Sequence, residues 1–261
     1  MNAHMFDLTG KVAIVTGGGG GLGLGMAEAL AGLGCAVSIW GRNEAKLADA
    51  VRGLEASSES PIAAETCDVS DAAAIDAAFA RTLDRFGRVD GMIANAGVAA
   101  PPKPSEERGA DEWRSLFAAN VDGVAYSFQS TTRHFKARAA EGDPGGRLIA
   151  TSSVASIMGA ARAEHYGASK GAVNAMVRAL AVELARYGVT ANAILPGYAE
   201  SDMTGPLLAN DKFVAATLPR IPMRRFGRPS DYGGIAAYLM SDAAAYHTGD
   251  SFVIDGGYTL F

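Results

Sequence analysis

Residues 12–30 read VAIVTGGGGGLGLGMAEAL: a short apolar β-forming run, glycine at every position from 17 to 21, then an apolar helical tract. A strand that feeds a helix through a glycine turn is the opening of a βαβ unit. Glycines at such a turn let backbone amides approach a pyrophosphate, and the helix N-terminus attracts the same anion. The spacing is Thr16-Gly17-x3-Gly21-x-Gly23, with Leu22 between the last two glycines, rather than Gly-x-Gly-x-x-Gly. A glycine run alone is equally a flexible turn. Its place between strand and helix selects nucleotide binding.

Outward from this stretch the same alternation repeats. AVSIW (36–40) precedes a helix over 43–56, AAETCDV (63–69) one over 71–86 capped by Ser70 or Asp71, and GMIANAG (91–97) a long helix over 111–139. GRLIATSS (146–153) precedes a helix over 163–187, VTANAILPG (189–197) an irregular segment and a helix over 230–240, and SFVID (251–255) closes the chain. Seven apolar strands without clean alternation, separated by helices, predict an α/β fold: a single-domain, Rossmann-type, doubly wound parallel sheet with helices on both faces, spanning 1–261. Two loops stand out. AAPPKPSEERGA (99–110) carries three prolines, and the long weakly periodic stretch 198–229 suits a lid over a site.

With 261 residues, 49% of them hydrophobic, the chain can bury a large core. A net charge of −5 with scattered basic residues excludes a nucleic-acid footprint. Cys35 and Cys67 read as buried thiols, not a disulfide scaffold. No apolar run reaches the ~18 residues of a membrane span, and MNAHMFDLTGK lacks the apolar core of a signal peptide, so a cytoplasmic protein is expected.

The cofactor's identity is read at the end of the second strand. NAD-binding folds place Asp or Glu there for the ribose 2′-hydroxyl. Here the chain reads Trp40-Gly41-Arg42-Asn43. No carboxylate repels a 2′-phosphate, and Arg42 could bind one, which favours NADP(H) over NAD(H). Alternatively, Arg42 only caps an exposed turn. Asp68 and Val69 end the third strand, where a carboxylate accepts from an adenine amine or caps the next helix.

The chemistry is read from HYGASKGAVNAMVRALAVEL, in which Tyr166 and Lys170 stand one helical turn apart, with Ser153 thirteen residues upstream of the tyrosine. A cation beside a phenol of pKa about 10 favours the phenolate. A proton donor and acceptor so tuned, with a hydroxyl to steady charge on a substrate oxygen, suits alcohol–ketone interconversion. A lone Tyr-x3-Lys is also common by chance.

These motifs together resemble the short-chain dehydrogenase/reductase family over nearly the whole chain: Thr16-Gly17-x3-Gly21-x-Gly23, Asp68-Val69, Asn95-Ala96-Gly97, Asn120, Ser153, Tyr166-x3-Lys170 and Pro196-Gly197, in that order. The resemblance implies that Tyr166 is the general acid–base, Lys170 lowers its pKa and holds the nicotinamide ribose, and Ser153 positions the carbonyl. It implies that Asn120 supports a water leading protons to Lys170; read alone, Asn120 would bond backbone inside its helix. Asn95-Ala96-Gly97 would floor the cofactor site, and Pro196-Gly197 would turn over the nicotinamide. The chain departs from the family where Asn-Asn-Ala-Gly becomes Ala94-Asn95-Ala96-Gly97, where Ser201 replaces the usual Thr, and where the loop's Ser or Asn is glycine.

The expected function is an NAD(P)-dependent oxidoreductase of CH–OH groups, acting on a small secondary alcohol or ketone, without a metal. A 3-oxoacyl-carrier-protein reductase and a non-catalytic dinucleotide-binding redox sensor are the alternatives; a nucleotide-sugar dehydratase or epimerase generally runs longer. Met203, Leu207, Leu208, Phe213 and Leu218 of the lid, with Ile157 and Met158, either wall a hydrophobic or cyclic substrate or bury the lid. His165 reads as a rim residue. Val173, Met176, Val177 and Leu180 exceed one core face, so a homotetramer, or failing that a dimer, is expected.

Overall fold

The computed structural model describes residues 5–260; the first four residues of the stretch MNAHMFDLTGK, and residue 261, lie outside the described residues. The strands are β1 (Val12–Thr16), β2 (Ala36–Gly41), β3 (Ile62–Thr66), β4 (Gly91–Ala94), β5 (Gly146–Thr151), β6 (Val189–Pro196) and β7 (Ser251–Ile254). They form one sheet in the order β3-β2-β1-β4-β5-β6-β7, parallel throughout. The order reverses between β1 and β4, and a crevice opens at the carboxyl ends of the strands there.

The absence of alternation in the sequence has its cause in two apolar faces. Ala13, Val15, Val37, Ile39 and Ile93 pack into one core with Met26 and Leu30 of α1 (Gly21–Ala31) and Leu47 and Leu54 of α2 (Glu44–Ser57). Ile14, Trp40, Met92 and Ala94 face a second core with Ile75 and Phe79 of α3 (Ala72–Phe86). Successive strand residues serve opposite faces, and both are covered. Asp71, not Ser70, caps α3, its carboxylate accepting from the amides of Ala73 and Ala74.

The long helix expected over 111–139 is three pieces. After α4 (Ala110–Phe117) comes a π-helical turn over Ala118–Asp122, then α5 (Gly123–Ala140). Gly123 permits the passage, because a Cβ there would sit 2.9 Å from the Val69 side chain. A π-turn carries one extra residue, which sequence periodicity does not reveal, and it commonly re-aims a functional side chain. Here that side chain is Asn120.

α6 (Glu164–Leu184) ends short of the expected 187, in a 3₁₀ turn closed by left-handed Gly188. Part of its apolar surface is used inside the protomer. Val173 and Val177 are fully buried, and Met176 and Leu180 pack against the second core. Met176 and Leu180 stay half-buried, and Val182 is exposed, so this helix keeps apolar surface on its outer side.

Over 198–229 the chain forms α7 (Gly205–Leu208), α8 (Asp211–Thr217) and a turn over Leu218–Arg220. The segment is closed at its base, where Glu200 N–H donates to Gly227 O at 2.8 Å and Gly227 N–H to Tyr198 O at 2.9 Å. α9 (Gly233–Met240) follows and packs on α1.

Candidate active site

The crevice is a cavity of about 510 Å³. The glycine turn, Arg42, Asp68, Val69, Asn95, Ala96, Gly97, Ser153, Tyr166, Lys170, Pro196, Gly197 and Ser201 all line it, as do Gly17, Gly21 and Leu22. Gly23 and Asn120 do not. Gly23 lies behind the turn, where a Cβ would fall 2.4 Å from Gly17 O and 2.5 Å from Asn95 Nδ2. It is glycine because β4's exit runs against the turn. Gly17 and Gly21 take left-handed conformations, at φ 67° and 52°.

The residues fit a dinucleotide. No side chain caps the N-terminus of α1, and its first turn holds no acidic residue, so its amides point into the cavity as donors for an anion. A Cβ built on Gly20 would meet nothing within 4 Å, which leaves the backbone open to a ligand.

Asn95 ties three strands beneath the turn. Its Nδ2 donates to Thr16 O at 3.0 Å, Thr151 Oγ1 donates to its Oδ1 at 3.1 Å, and Thr16 Oγ1 accepts from the amides of Asn95 and Ala96. The one remaining Asn of the motif does the stitching.

Arg42 stands exposed at the end of β2, with Nη1 3.9 Å from Asp68 Oδ2. Asp68 accepts from the amide and hydroxyl of Ser70, which with Arg42 holds its carboxyl below the usual carboxylate range. Lys46, in the first turn of α2, also lines the cavity and pairs with Asp202 of the lid. Sequence reading missed it. The available signal was a second cation one turn after Arg42. Thr151 and Ser152 were missed as lining residues too; of the five apolar lid residues named from the sequence, Met203 alone is among those lining the cavity. Phe213 instead packs edge-on against Tyr198, ring centroids 5.2 Å apart.

Ser153, Tyr166 and Lys170 converge. β5 ends at Thr151 and delivers Ser153, which caps a short turn by accepting from Ala155 N–H at 3.1 Å. α6 docks on the same strand end: Ser152 Oγ donates to Lys170 O at 3.1 Å, and Lys170 Nζ donates to Thr151 O at 2.8 Å. Lys170 Nζ lies 5.8 Å from the centre of the Tyr166 ring. The Ser153 hydroxyl favours the ionised form of the Tyr166 phenol.

The electrostatics correct one expectation. The effects that act on the Tyr166 phenol are burial and Ser153, and Lys170 is not among them. Burial pushes the phenol above its ordinary value, and the resolved opposing effect is that of Ser153. The ammonium faces the Thr151 carbonyl, and burial lowers its own pKa to about 8.

Asn120 is fully buried behind this group. Its Oδ1 accepts from Val98 N–H at 2.7 Å, and its Nδ2 donates to Val98 O at 2.9 Å and to Ser169 Oγ at 3.2 Å. Ser169 Oγ in turn donates to Tyr166 O at 2.7 Å. The backbone-bonding role read from the residue alone is what the geometry displays.

His165 is buried, not a rim residue: it is 0% exposed and its ring packs 5.9 Å from that of Trp113. Burial holds its pKa below the usual histidine value. Both cysteines are buried, and burial raises Cys35 to about 12 and Cys67 to about 11. Among the described residues no group of three or more His, Cys, Asp or Glu could hold a metal, and no helix is long and apolar enough to cross a membrane.

Comparison with known proteins agrees with this architecture. The family model described as enoyl-(acyl carrier protein) reductase matches residues 17–259. The chain is 34% identical to sorbose reductase of Schizosaccharomyces pombe, over 97% of this chain and 98% of that protein. It belongs to the short-chain dehydrogenase/reductase family. An NADP-dependent (R)-specific alcohol dehydrogenase of Lentilactobacillus kefiri is 34% identical over 97% of this chain and 98% of the other. A gluconate 5-dehydrogenase of Burkholderia cenocepacia, solved with NADP and tartrate, superposes with TM-score 0.91 at 32% identity, covering 98% of each chain. As in these relatives, this chain is built as an oxidoreductase.

Proposed function

We propose that this member of the family is an NADP(H)-dependent ketone reductase and secondary-alcohol dehydrogenase working through Ser153, Tyr166 and Lys170. One observation carries the proposal: these side chains line the same cavity as the uncapped N-terminus of α1. The bound nicotinamide supplies the hydride. The pyrophosphate would lie on the amides of residues 20–22, the 2′-phosphate beside Arg42, and the nicotinamide end near Lys170 and Pro196-Gly197.

In reduction, Ser153 Oγ bonds the carbonyl oxygen and Tyr166 gives its proton to it as charge develops. Because burial raises the phenol, Tyr166 is protonated at neutral pH and ready to donate. Lys170, largely charged below its pKa of about 8, restores that proton from the side of Thr151. Asn120 holds the Val98 turn and, through Ser169, the backbone of Tyr166 in register. In oxidation the roles reverse, and the phenol must first ionise. Arg42 and the absence of a carboxylate in the turn after β2 support NADP(H); NAD(H) remains the comparison cofactor. The enzyme is proposed to be a cytoplasmic homo-oligomer.

A relative described as a 3-oxoacyl-[acyl-carrier-protein] reductase, 33% identical over 98% of this chain, favours a second reading, in which the ketone is the 3-oxo group of an acyl thioester on a carrier protein. Oxidation of NADPH and of NADH, each followed against a cyclic ketone, a keto-sugar, a sugar acid and a 3-oxoacyl thioester, separates the two. Turnover of free small ketones with NADPH supports the main proposal. Turnover of the thioester alone supports the second, and a protein that binds NADPH yet reduces nothing contradicts both.

A further inference from the structure

Arg108 belongs to no motif, yet its guanidinium is fully buried. Burying a cation is unfavourable unless it is paired and hydrogen-bonded. Every arm of this one is used. Nε donates to Glu164 Oε1 at 3.2 Å and Nη1 to Glu112 Oε1 at 3.3 Å, while Nη2 donates to Pro101 O at 3.3 Å and Arg162 O at 3.1 Å. One planar fork therefore joins the proline-rich loop, the first turn of α4 and the approach to α6.

That approach needs holding. Arg162 is a non-glycine residue at φ 63°, a left-handed conformation that side chains adopt at a cost. Ala163 follows at the N-cap of α6 and offers no side-chain cap. The first turn of α6 is thus tied down from outside itself, by Arg108 on Glu164 and on the Arg162 carbonyl, with Lys103 N–H also donating to that carbonyl at 3.2 Å. Tyr166 is two residues beyond Glu164. Lys170, one turn later, has its own anchor on Thr151.

We infer that Arg108 is a positioning residue for Tyr166: it fixes the first turn of α6 so that the phenol meets the substrate oxygen, while the cofactor end of the cleft is held independently. The inference rests on the proposed ketone-reductase reading. It assigns a function to the 99–110 loop, which holds the proton donor in place from the substrate side.

The test compares Arg108→Met, Arg108→Lys and Glu164→Gln with wild type in the intact protein, using NADPH and the best ketone found. Three readouts apply: steady-state constants, NADPH affinity by fluorescence, and backbone hydrogen exchange over residues 162–168. A displacement near 1 Å of a reacting group costs on the order of 10²-fold in rate, so Arg108→Met should lower kcat by about that factor with NADPH affinity unchanged to about twofold. Arg108→Lys keeps the charge but loses the fork and should fall between. Glu164→Gln leaves a neutral amide oxygen in place of the carboxylate and so weakens one leg, should fold, and should lower kcat by up to roughly tenfold with faster exchange at 162–168. Wild-type kcat in Glu164→Gln and Arg108→Lys, or a kcat loss matched by an equal loss of NADPH affinity, would overturn the inference. If wild type reduces no ketone, the proposed chemistry fails by itself. Exchange at 162–168 then still decides the clamp, and unchanged exchange in Glu164→Gln would sink it.

Discussion

Lys170→Met should make the cofactor-free protein more stable and nearly inactive. The magnitude follows from burial. Lys170 is 3% exposed, and its pKa is lowered from 10.5 to about 8. A displacement of about 2.5 units corresponds to about 3 kcal/mol of cost for holding the charge in the folded state. Methionine is similar in length, uncharged and content in an apolar gap. It leaves the Thr151 carbonyl without its donor, a loss of about 1 kcal/mol. The net gain below pH 8 is therefore about 2 kcal/mol. Between pH 8 and 10.5 the unfolded chain holds a proton on this lysine that the folded chain has released, so wild-type stability rises with pH and the gap closes. Urea unfolding of both proteins without cofactor, at one protein concentration, at pH 7 and pH 10, measures this. A variant less stable than wild type at pH 7, or a gap that widens at pH 10, would refute the reasoning. A stabilised, inactive variant would mean that the lysine is kept for chemistry at the expense of the fold.

Arg42→Ala should weaken NADPH binding by about tenfold or more, the value of one charge-assisted contact, and leave NADH nearly unchanged; fluorescence titration with both cofactors checks it. Asn120→Ala removes the partners of both Val98 backbone groups and of Ser169, and should cost about 2–4 kcal/mol, read as a lowered urea midpoint. Gly23→Ala drives a methyl into Gly17 O and Asn95 Nδ2; it should cost about 1–3 kcal/mol and loosen NADPH through the distorted turn, seen in unfolding and titration together. Since burial raises the Tyr166 phenol, alcohol oxidation should climb through the alkaline range while ketone reduction holds near neutral pH; a flat pH–rate profile for oxidation contradicts a phenolic base.

The sequence exposed whatever is set by local chemistry. Apolar runs with no alternation meant strands covered on both faces, and the glycine turn meant a helix start left open to a ligand. Tyr166 and Lys170 at one-turn spacing meant a shared face. Missing was whatever depends on chain paths meeting. The π-turn at Asn120 is invisible to periodicity because it inserts a residue without changing composition. His165 reads as polar and near a loop, yet Trp113, fifty-two positions earlier, covers it. The phenol's environment depends on burial and on where the ammonium points, neither of which spacing encodes. Arg108 sits in a loop of charged residues and carries no sequence sign of being enclosed.

The most direct measurement is the turnover of Tyr166→Phe, with NADPH affinity determined on the same protein. Loss of the proton donor should reduce kcat/KM for ketone reduction by about 10²–10⁴-fold while the cofactor binds as in wild type. Turnover comparable to wild type would remove the phenol from the reaction and with it the mechanism assigned to this cleft.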